Sequence, residues 1–439
     1  MMKIDIISLG CSKNLVDSER LTKKLENIGH KVCFEPKKPA GDVVVINTCG
    51  FIGDAKEESI NTILEAVNLK DKGVYKHVYV MGCLSERYIK ELPGEIPEVD
   101  KWYGKFDWEK IIEESKNWGN KPLKSSPKFS PDYDRTITTP SHYAYLKIAE
   151  GCNRFCAFCA IPLITGRYKS RPIEEIADEV RMLVSRGVKE FNVIAQDLSS
   201  YGLDLYGEMR LPQLIETIAQ IPGVESIRLH YAYPTQFPYE ILDVMAKHGN
   251  VCKYLDIALQ HISDNVLNNM RRHITGKQTR ELLKTMREKV PGIHIRTTLM
   301  VGFPGETEED FRELMDFVKE ARFERMGAFA YCEEEDTFAA KNLADDVDEN
   351  TKQRRLDKLM ELQEQISAEI QESKVGSVMR VIIDGMEGDM YVGRTEFDSP
   401  EVDPVVLIKS ETPLTTGCFY NVKITSAMPF ELLAEPIEQ

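Results

Sequence analysis

The stretch EGCNRFCAFCAIPLITG, residues 150–166, places Cys152, Cys156 and Cys159 in a C-x3-C-x2-C spacing, with Phe155 and Phe158 between them. Thiolates are soft ligands that suit zinc or an iron–sulfur cluster. A structural zinc site normally takes four ligands. Only three cysteines stand here, with no fourth Cys or His nearby, so a zinc reading needs a distant ligand. Three thiolates on a cubane instead leave one iron open to an outside ligand. A second set is dispersed: Cys11 follows KIDIISLG, Cys49 follows DVVVINT and Cys83 follows HVYVMG. Each ends an apolar run and precedes a helical pattern. Parallel strands would bring such residues to one sheet edge, where helix N-termini favour thiolates. Cys33, Cys252, Cys332 and Cys418 show no such convergence and read as packing residues.

Two further stretches could hold a ligand. TTLMVGFPGETEED ends a predicted strand with Gly302 and Gly305, which permit close backbone approach. VIAQDLSSYG puts Gln196 and Asp197 at another strand's carboxyl end.

The elements that must position these residues follow from periodicity. Residues 1–114 alternate buried-strand runs with helical spacing, which predicts a parallel α/β domain. Residues 115–141 carry Pro122, Pro127, Pro131 and Pro140 among Ser, Thr and Lys, and read as a linker. Residues 142–373 resume the alternation. YAYLKIA, EFNVIAQ, SIRLHY, YLDIAL, HIRTTLMV and MGAFAY are strand candidates, and an amphipathic connecting helix follows Thr351. About six β/α units are short of the eight that close a barrel, so an open partial (β/α)6 barrel is expected. Residues 374–439 hold short strand-like runs between Gly, Pro and Asp, which predicts a small antiparallel β-barrel. The chain has 439 residues and 42% hydrophobic content, enough for several cores. It begins with no signal-peptide pattern and holds no bilayer-length apolar run, so a cytoplasmic protein that makes no membrane contact is expected. Ten cysteines in a reducing compartment point to metal or catalysis rather than disulfides.

The triplet with an aromatic before its last cysteine, Cys152, Cys156, Phe158 and Cys159, resembles the signature of the radical S-adenosylmethionine (SAM) superfamily. The resemblance implies a 4Fe–4S cluster whose open iron chelates SAM, and cleavage of SAM to a 5′-deoxyadenosyl radical. It further implies that Phe158 shields the site, that Gly302 and Gly305 lie by the adenine, and that Gln196 and Asp197 lie near the SAM amino group, where the superfamily more usually has Gly-Gly-Glu. SLGCSKNLVDSERL and NTCGFIGDAKEES, together with the triplet and the terminal barrel, are similar over essentially the whole chain to the methylthiotransferase family. That likeness implies a transferase with a second, auxiliary 4Fe–4S cluster on Cys11, Cys49 and Cys83, and a terminal barrel of the TRAM type. No acid–base pair is implied. A low-potential electron donor and a sulfur source are.

The family modifies either transfer-RNA adenosines or the β-carbon of an aspartate in ribosomal small-subunit protein twelve. LQHISDNVLNNMRR and GRTEFDSPEVD are similar to the ribosomal-protein branch. Charge agrees. The formal net charge is −15, which argues against a general nucleic-acid binder. Residues 333–349 hold eight acids and one base, a net of −7, which reads as solvated surface. Residues 374–439 hold eleven acids and five bases, a net of −6, where an RNA-gripping barrel should be basic. An acidic barrel would instead attract a basic ribosomal protein. Glu396, Asp398, Glu401 and Asp403 are expected to be exposed on a turn for that purpose. A two-cluster electron carrier or sensor is the reading from another class, against which the ligand-sized β/α barrel argues.

Overall fold

A computed structural model describes residues 1–118 and 130–437. Pro122 and Pro127 of the proline-rich stretch lie outside the described residues. The chain falls into two compact units: residues 1–139 with 150–153 and 160–168, and the rest of the chain.

In the first unit, β1 (Lys3–Ser8), β2 (Lys31–Phe34), β3 (Val43–Thr48), β4 (His77–Gly82) and β5 (Lys101–Trp102) form a parallel sheet ordered β2-β1-β3-β4-β5. Strand β3, VVVINT, is buried along its whole length, as a central parallel strand covered on both faces must be. Its neighbours are predicted from the same apolar runs. β2 falls on the strand-like KVCFE around Cys33, whereas β5 spans two residues and carries no run long enough to stand out as a strand. Residues 130–138 are pinned to α1 (Ser12–Asn27). Arg135 and Glu19 form a fully buried ion pair, and the Thr138 amide donates to Glu19 at 2.7 Å.

In the second unit, β6 (Tyr143–Lys147) is the first of six parallel strands. Two-residue strands β7 (Ala149–Glu150) and β8 (Lys169–Ser170) bracket the cysteine loop in sequence. The sheet continues with β9 (Glu190–Ile194), β10 (Ser226–Ala232), β11 (Val251–Gln260), β12 (His294–Val301) and β13 (Arg325–Ala330). The order β13-β12-β11-β10-β9-β6 is an open sheet with every pair parallel. These are the six apolar runs read from the sequence. The connecting helix runs Glu349–Glu372 and packs along β13.

The terminal barrel is closed by β14 (Val378–Glu387), β15 (Met390–Thr395), β16 (Val405–Ile408), β17 (Phe419–Met428) and β18 (Glu431–Pro436). Alternate residues, among them Val381, Ile383, Val406, Ile408, Val422 and Ile424, fill it. The barrel is not wholly antiparallel: β16 and β18 pair in parallel. Strand β18, ELLAEP, escapes sequence reading because only Leu432 and Ala434 point inward and two acids and a proline dilute the pattern.

The acidic turn requires a correction. Glu396 and Glu401 are exposed as expected, but Asp398 is buried and Asp403 largely so, and all four fasten the barrel to the core sheet. Asp398 is buried, accepting from Arg325 Nη2 at 2.7 Å and Thr395 Oγ1 at 2.5 Å. Asp403 accepts from the Tyr254 hydroxyl at 2.8 Å, Glu401 from the Tyr145 hydroxyl at 3.2 Å, and Glu396 from the Lys253 amide at 3.0 Å. Beside them the Arg394 guanidinium donates twice to Glu190, at 2.8 and 2.9 Å, and also to Asp384. Their partners lie toward the amino ends of β6, β9, β11 and β13, whereas ligands of a parallel sheet gather at the carboxyl ends. Local sequence cannot separate a solvated acidic turn from a docked one, because the partners lie far upstream in the chain.

Candidate functional site

Cys11 caps α1, Cys49 follows β3, and Cys83 opens the short helix α2 (Cys83–Arg87) after β4. One side chain ties these three loops together. Buried Asn14 donates through Nδ2 to the carbonyls of Leu9 at 3.1 Å and Thr48 at 3.0 Å, and its Oδ1 lies 3.5 Å from Cys83 Sγ. Asn47 holds the Asn14 carbonyl at 3.0 Å. The cysteines feel one another. Burial pushes the Cys83 thiol up to about 12; the Lys105 ammonium draws it down, and Cys11 and Cys49 add to the rise. Burial likewise raises Cys49. Gly10 makes room: its φ is +87°, and a Cβ there would stand 2.8 Å from Cys49 Sγ. Lys105 is itself buried, 2.9 Å from Asp17 and 3.8 Å from Glu150. Three soft donors near enough to affect one another fit the ligand set of a cubane, which is larger than a single ion. Among the described residues no three His, Cys, Asp or Glu side chains lie at single-ion spacing.

The cysteine loop leaves β6. The Cys152 amide donates to the Gly166 carbonyl at 3.2 Å, and the Cys159 amide donates to that of Cys156 at 3.1 Å. Phe155 is exposed at φ +50°, so it is not a core residue. Phe158 is half-buried and meets Phe303 edge-on at 6.2 Å. The Ala157 amide donates to the Met270 carbonyl at 2.9 Å. Arg272 Nη1 reaches Cys156 Sγ at 3.2 Å, and the Tyr233 hydroxyl lies 3.4 Å from the same sulfur. A guanidinium donating to a sulfur fits a thiolate ligand with charge behind it.

The predicted SAM contacts are distributed as follows. Asp197 follows β9 as expected, and its carboxylate already accepts from Arg154 Nε at 2.7 Å, the Ser199 amide at 2.9 Å and the Ser200 hydroxyl at 2.5 Å. Asp197 therefore holds the cysteine loop through Arg154. Gln196 is half-buried beside it. Gly302 and Gly305 follow β12 at φ +72° and +83°. The room that Gly302 leaves is taken by Lys352, whose Cγ would lie 2.3 Å from an added Cβ. Packing thus already demands glycine there. Beside it Glu306 accepts from the Gly302 amide at 2.7 Å and pairs with Arg355 at 3.0 Å. Burial pushes the Glu306 carboxyl up to about 7, against the pull of Arg355 and the backbone amides.

Sequence reading missed Asn14, Lys105, Tyr233, Arg272 and Glu306. Four of them adjoin quoted motifs: Asn14 stands in SLGCSKNL, Arg272 ends LQHISDNVLNNMRR, Glu306 closes GFPGE, and Tyr233 follows SIRLHYA. Lys105 carries no local signal.

An open six-stranded parallel sheet with a triple-cysteine loop after its first strand is the architecture of a radical SAM protein. Residues 146–318 match the model of the Radical SAM superfamily, residues 3–104 that of Uncharacterized protein family UPF0004, and residues 375–437 that of the TRAM domain. A cobalamin- and [4Fe-4S]-bound structure of the radical SAM methyltransferase TsrM from Kitasatospora setae shares the fold, with a TM-score of 0.55 and 16% identity over 75% of this chain and 72% of that one. Among curated relatives, the ribosomal protein uS12 methylthiotransferase RimO of Phocaeicola vulgatus is 62% identical over 98% of both chains. The RimO of Bacteroides fragilis is 60% identical over 99% of both. The chain belongs to the uS12 methylthiotransferase RimO family. Among the described residues no helix is long and apolar enough to cross a membrane.

Proposed function

We propose that this chain places a methylthio group, its methyl from SAM and its sulfur from a separate source, on the β-carbon of an aspartate in uS12, with the β-hydrogen passing to the 5′-deoxyadenosyl radical of a second SAM. The observation that carries the reading is the pairing of 62% identity to a RimO, over nearly the full length of both chains, with two separately built tri-cysteine sites. The transfer-RNA alternative is not favoured, since the relatives are named for the ribosomal protein. The carrier reading gives way to a transferase.

The β-hydrogen of an aspartyl residue is beyond the pKa range of any side-chain base, which is why no acid–base pair is assigned. When bound at Cys152, Cys156 and Cys159, a 4Fe–4S cluster supplies the electron that makes SAM a radical source, and a second at Cys11, Cys49 and Cys83 supplies the sulfur site. The chain's own residues do the holding. The six cysteines provide thiolates. Asp197 fixes Arg154 and, through it, the cysteine loop. Phe158 packs against Phe303 and keeps water from that side of the loop. Gly302 and Gly305 set the turn after β12 beside which the adenine is expected, and Gln196 stands at the end of β9 for the SAM amino group. A low-potential donor and a sulfur source complete the reaction.

The charge proposed to draw in a basic uS12 is not confined to the docked turn. Beside that turn's Glu396 and Glu401, it includes Glu387, Asp389, Glu411 and Glu435, all of them exposed on the barrel. Mass spectrometry of uS12 from cells with and without the chain tests the reading. The methylthio mass is expected on one aspartate only when the chain is present. Unmodified uS12 together with a newly modified transfer RNA would overturn it.

A further inference from the structure

Arg272 is 2% exposed, yet among the described residues no carboxylate pairs with it. Its Nη2 donates to the Ala258 carbonyl and its Nη1 to Cys156 Sγ at 3.2 Å. A buried guanidinium needs negative charge close by. Among the described residues every other buried arginine has a carboxylate: Arg135 has Glu19, Arg228 and Arg394 share Glu190, Arg325 has Asp398, and Arg355 has Glu306 and Glu308. Among the described residues the Cys156 sulfur is the one group within hydrogen-bond reach of Arg272 that would carry negative charge as a cluster ligand.

The backbone holds this contact against strain. Arg271 and His273, on either side of Arg272, sit at φ +57° and +53°, and Phe155, beside Cys156, sits at +50°. Non-glycine residues in that region cost of order 1–3 kcal/mol each and persist where surroundings over-determine them, often at functional sites. The surroundings here are explicit. Thr235 Oγ1 donates to the Arg272 carbonyl at 2.7 Å, and the Ala157 amide donates to that of Met270 at 2.9 Å. The Tyr233 ring lies between two guanidiniums, 4.1 Å from Arg272 and 4.3 Å from Arg154, with its hydroxyl 3.4 Å from Cys156 Sγ. Cys156 therefore receives a cation and a neutral hydroxyl from one clamped unit.

We propose that Arg272, steadied by Tyr233, is a positioning residue that raises the reduction potential of the cluster held by Cys152, Cys156 and Cys159. The inference rests on the proposed binding of a 4Fe–4S cluster there. A core of charge 2+ on three thiolates is a monoanion, and one electron from a low-potential donor makes it a dianion; no bond or proton moves. A fixed positive charge and hydrogen bonds to a ligand sulfur favour the more negative state.

The test uses the full chain carrying Cys11→Ala, Cys49→Ala and Cys83→Ala, reconstituted anaerobically, so that one cluster remains. Iron per chain and the thermal midpoint are measured first, then the cluster is titrated with dithionite and followed by electron paramagnetic resonance. Failure of the parent to hold about four irons per cubane would overturn the cluster reading, and this inference with it. Arg272→Met should shift the reduction equilibrium about tenfold toward the oxidised state, which is 59 mV lower for one electron. Arg272→Lys should recover part of that. Tyr233→Phe, which removes one hydroxyl, should shift the equilibrium about threefold in the same direction, as fits loss of a single hydrogen bond. If Arg272→Met fails to load iron, the lysine and phenylalanine variants decide. Potentials that stay within about twofold of the parent on that scale, or rise, in variants with intact iron content and thermal midpoint would overturn the proposal.

Discussion

Behind Cys83 stands a lysine whose charge is already matched by Asp17, whereas behind Cys156 stands an arginine with no carboxylate partner among the described residues. The loops differ as well. The dispersed set is gathered by a sheet edge and one amide, Asn14, in an unstrained network. The compact set is a single loop braced by strained residues of another. Under the roles proposed above, a site that carries sulfur can be held by neutral hydrogen bonds. A site that must accept an electron gains from a fixed cation, because the charge it answers appears only on reduction.

The largest expected difference is all or none. Replacing Cys152, Cys156 and Cys159 with Ala should abolish SAM cleavage, measured as 5′-deoxyadenosine, while iron at the other site remains. Replacing Cys11, Cys49 and Cys83 should leave SAM cleavage and abolish sulfur insertion into uS12. Sulfur insertion by the second triple variant would end the distinction between the sites.

Next comes Lys105→Met, which takes the buried ammonium away from Asp17 and Glu150. Breaking a buried pair typically costs about 3–5 kcal/mol, so the urea midpoint of the iron-free chain should fall markedly. An unchanged midpoint would mean that the Lys105–Asp17 pair does not hold the first site's floor.

Glu306, beside the Gly302 turn, carries a pH signature. Its carboxyl keeps its proton to about pH 7 when folded, whereas the unfolded chain loses it near the ordinary glutamate value. The folded form thus binds more protons in that window, and its contribution to stability falls as pH rises through it. Relative to Glu306→Gln, the native chain should lose up to about 3 kcal/mol between the two values. Parallel stability curves for the two proteins, from urea unfolding at a series of pH values, would refute this.

The smallest effect is expected for Asn14→Ala, about 1–3 kcal/mol for buried carbonyls left without donors. It should lower iron retention at Cys11, Cys49 and Cys83 and spare the other site. Equal loss at both sites would remove the contrast.

What the sequence alone determined is what local pattern can carry. The uninterrupted apolar runs VVVINT and HIRTTLMV specify buried parallel strands, since only strands covered on both faces read that way. The C-x3-C-x2-C spacing carries the ligand chemistry proposed for its loop, and the strand-end positions of Cys11, Cys49 and Cys83 bring them to one sheet edge, because parallel strands align their carboxyl ends. Tertiary structure decided which charges meet. TEFDSPEVD has the look of an exposed acidic turn, yet Arg325, Tyr254 and Tyr145 claim its acids, and their nearness is created only when the barrel docks on the sheet. Strand β18 depended likewise on a parallel partner, β16, that its own six residues do not announce. Lys105 and Arg272 are two basic residues of no distinct local pattern. One is matched by Asp17 and the other faces a sulfur, and burial, which makes an unmatched charge costly, gives that difference its consequence.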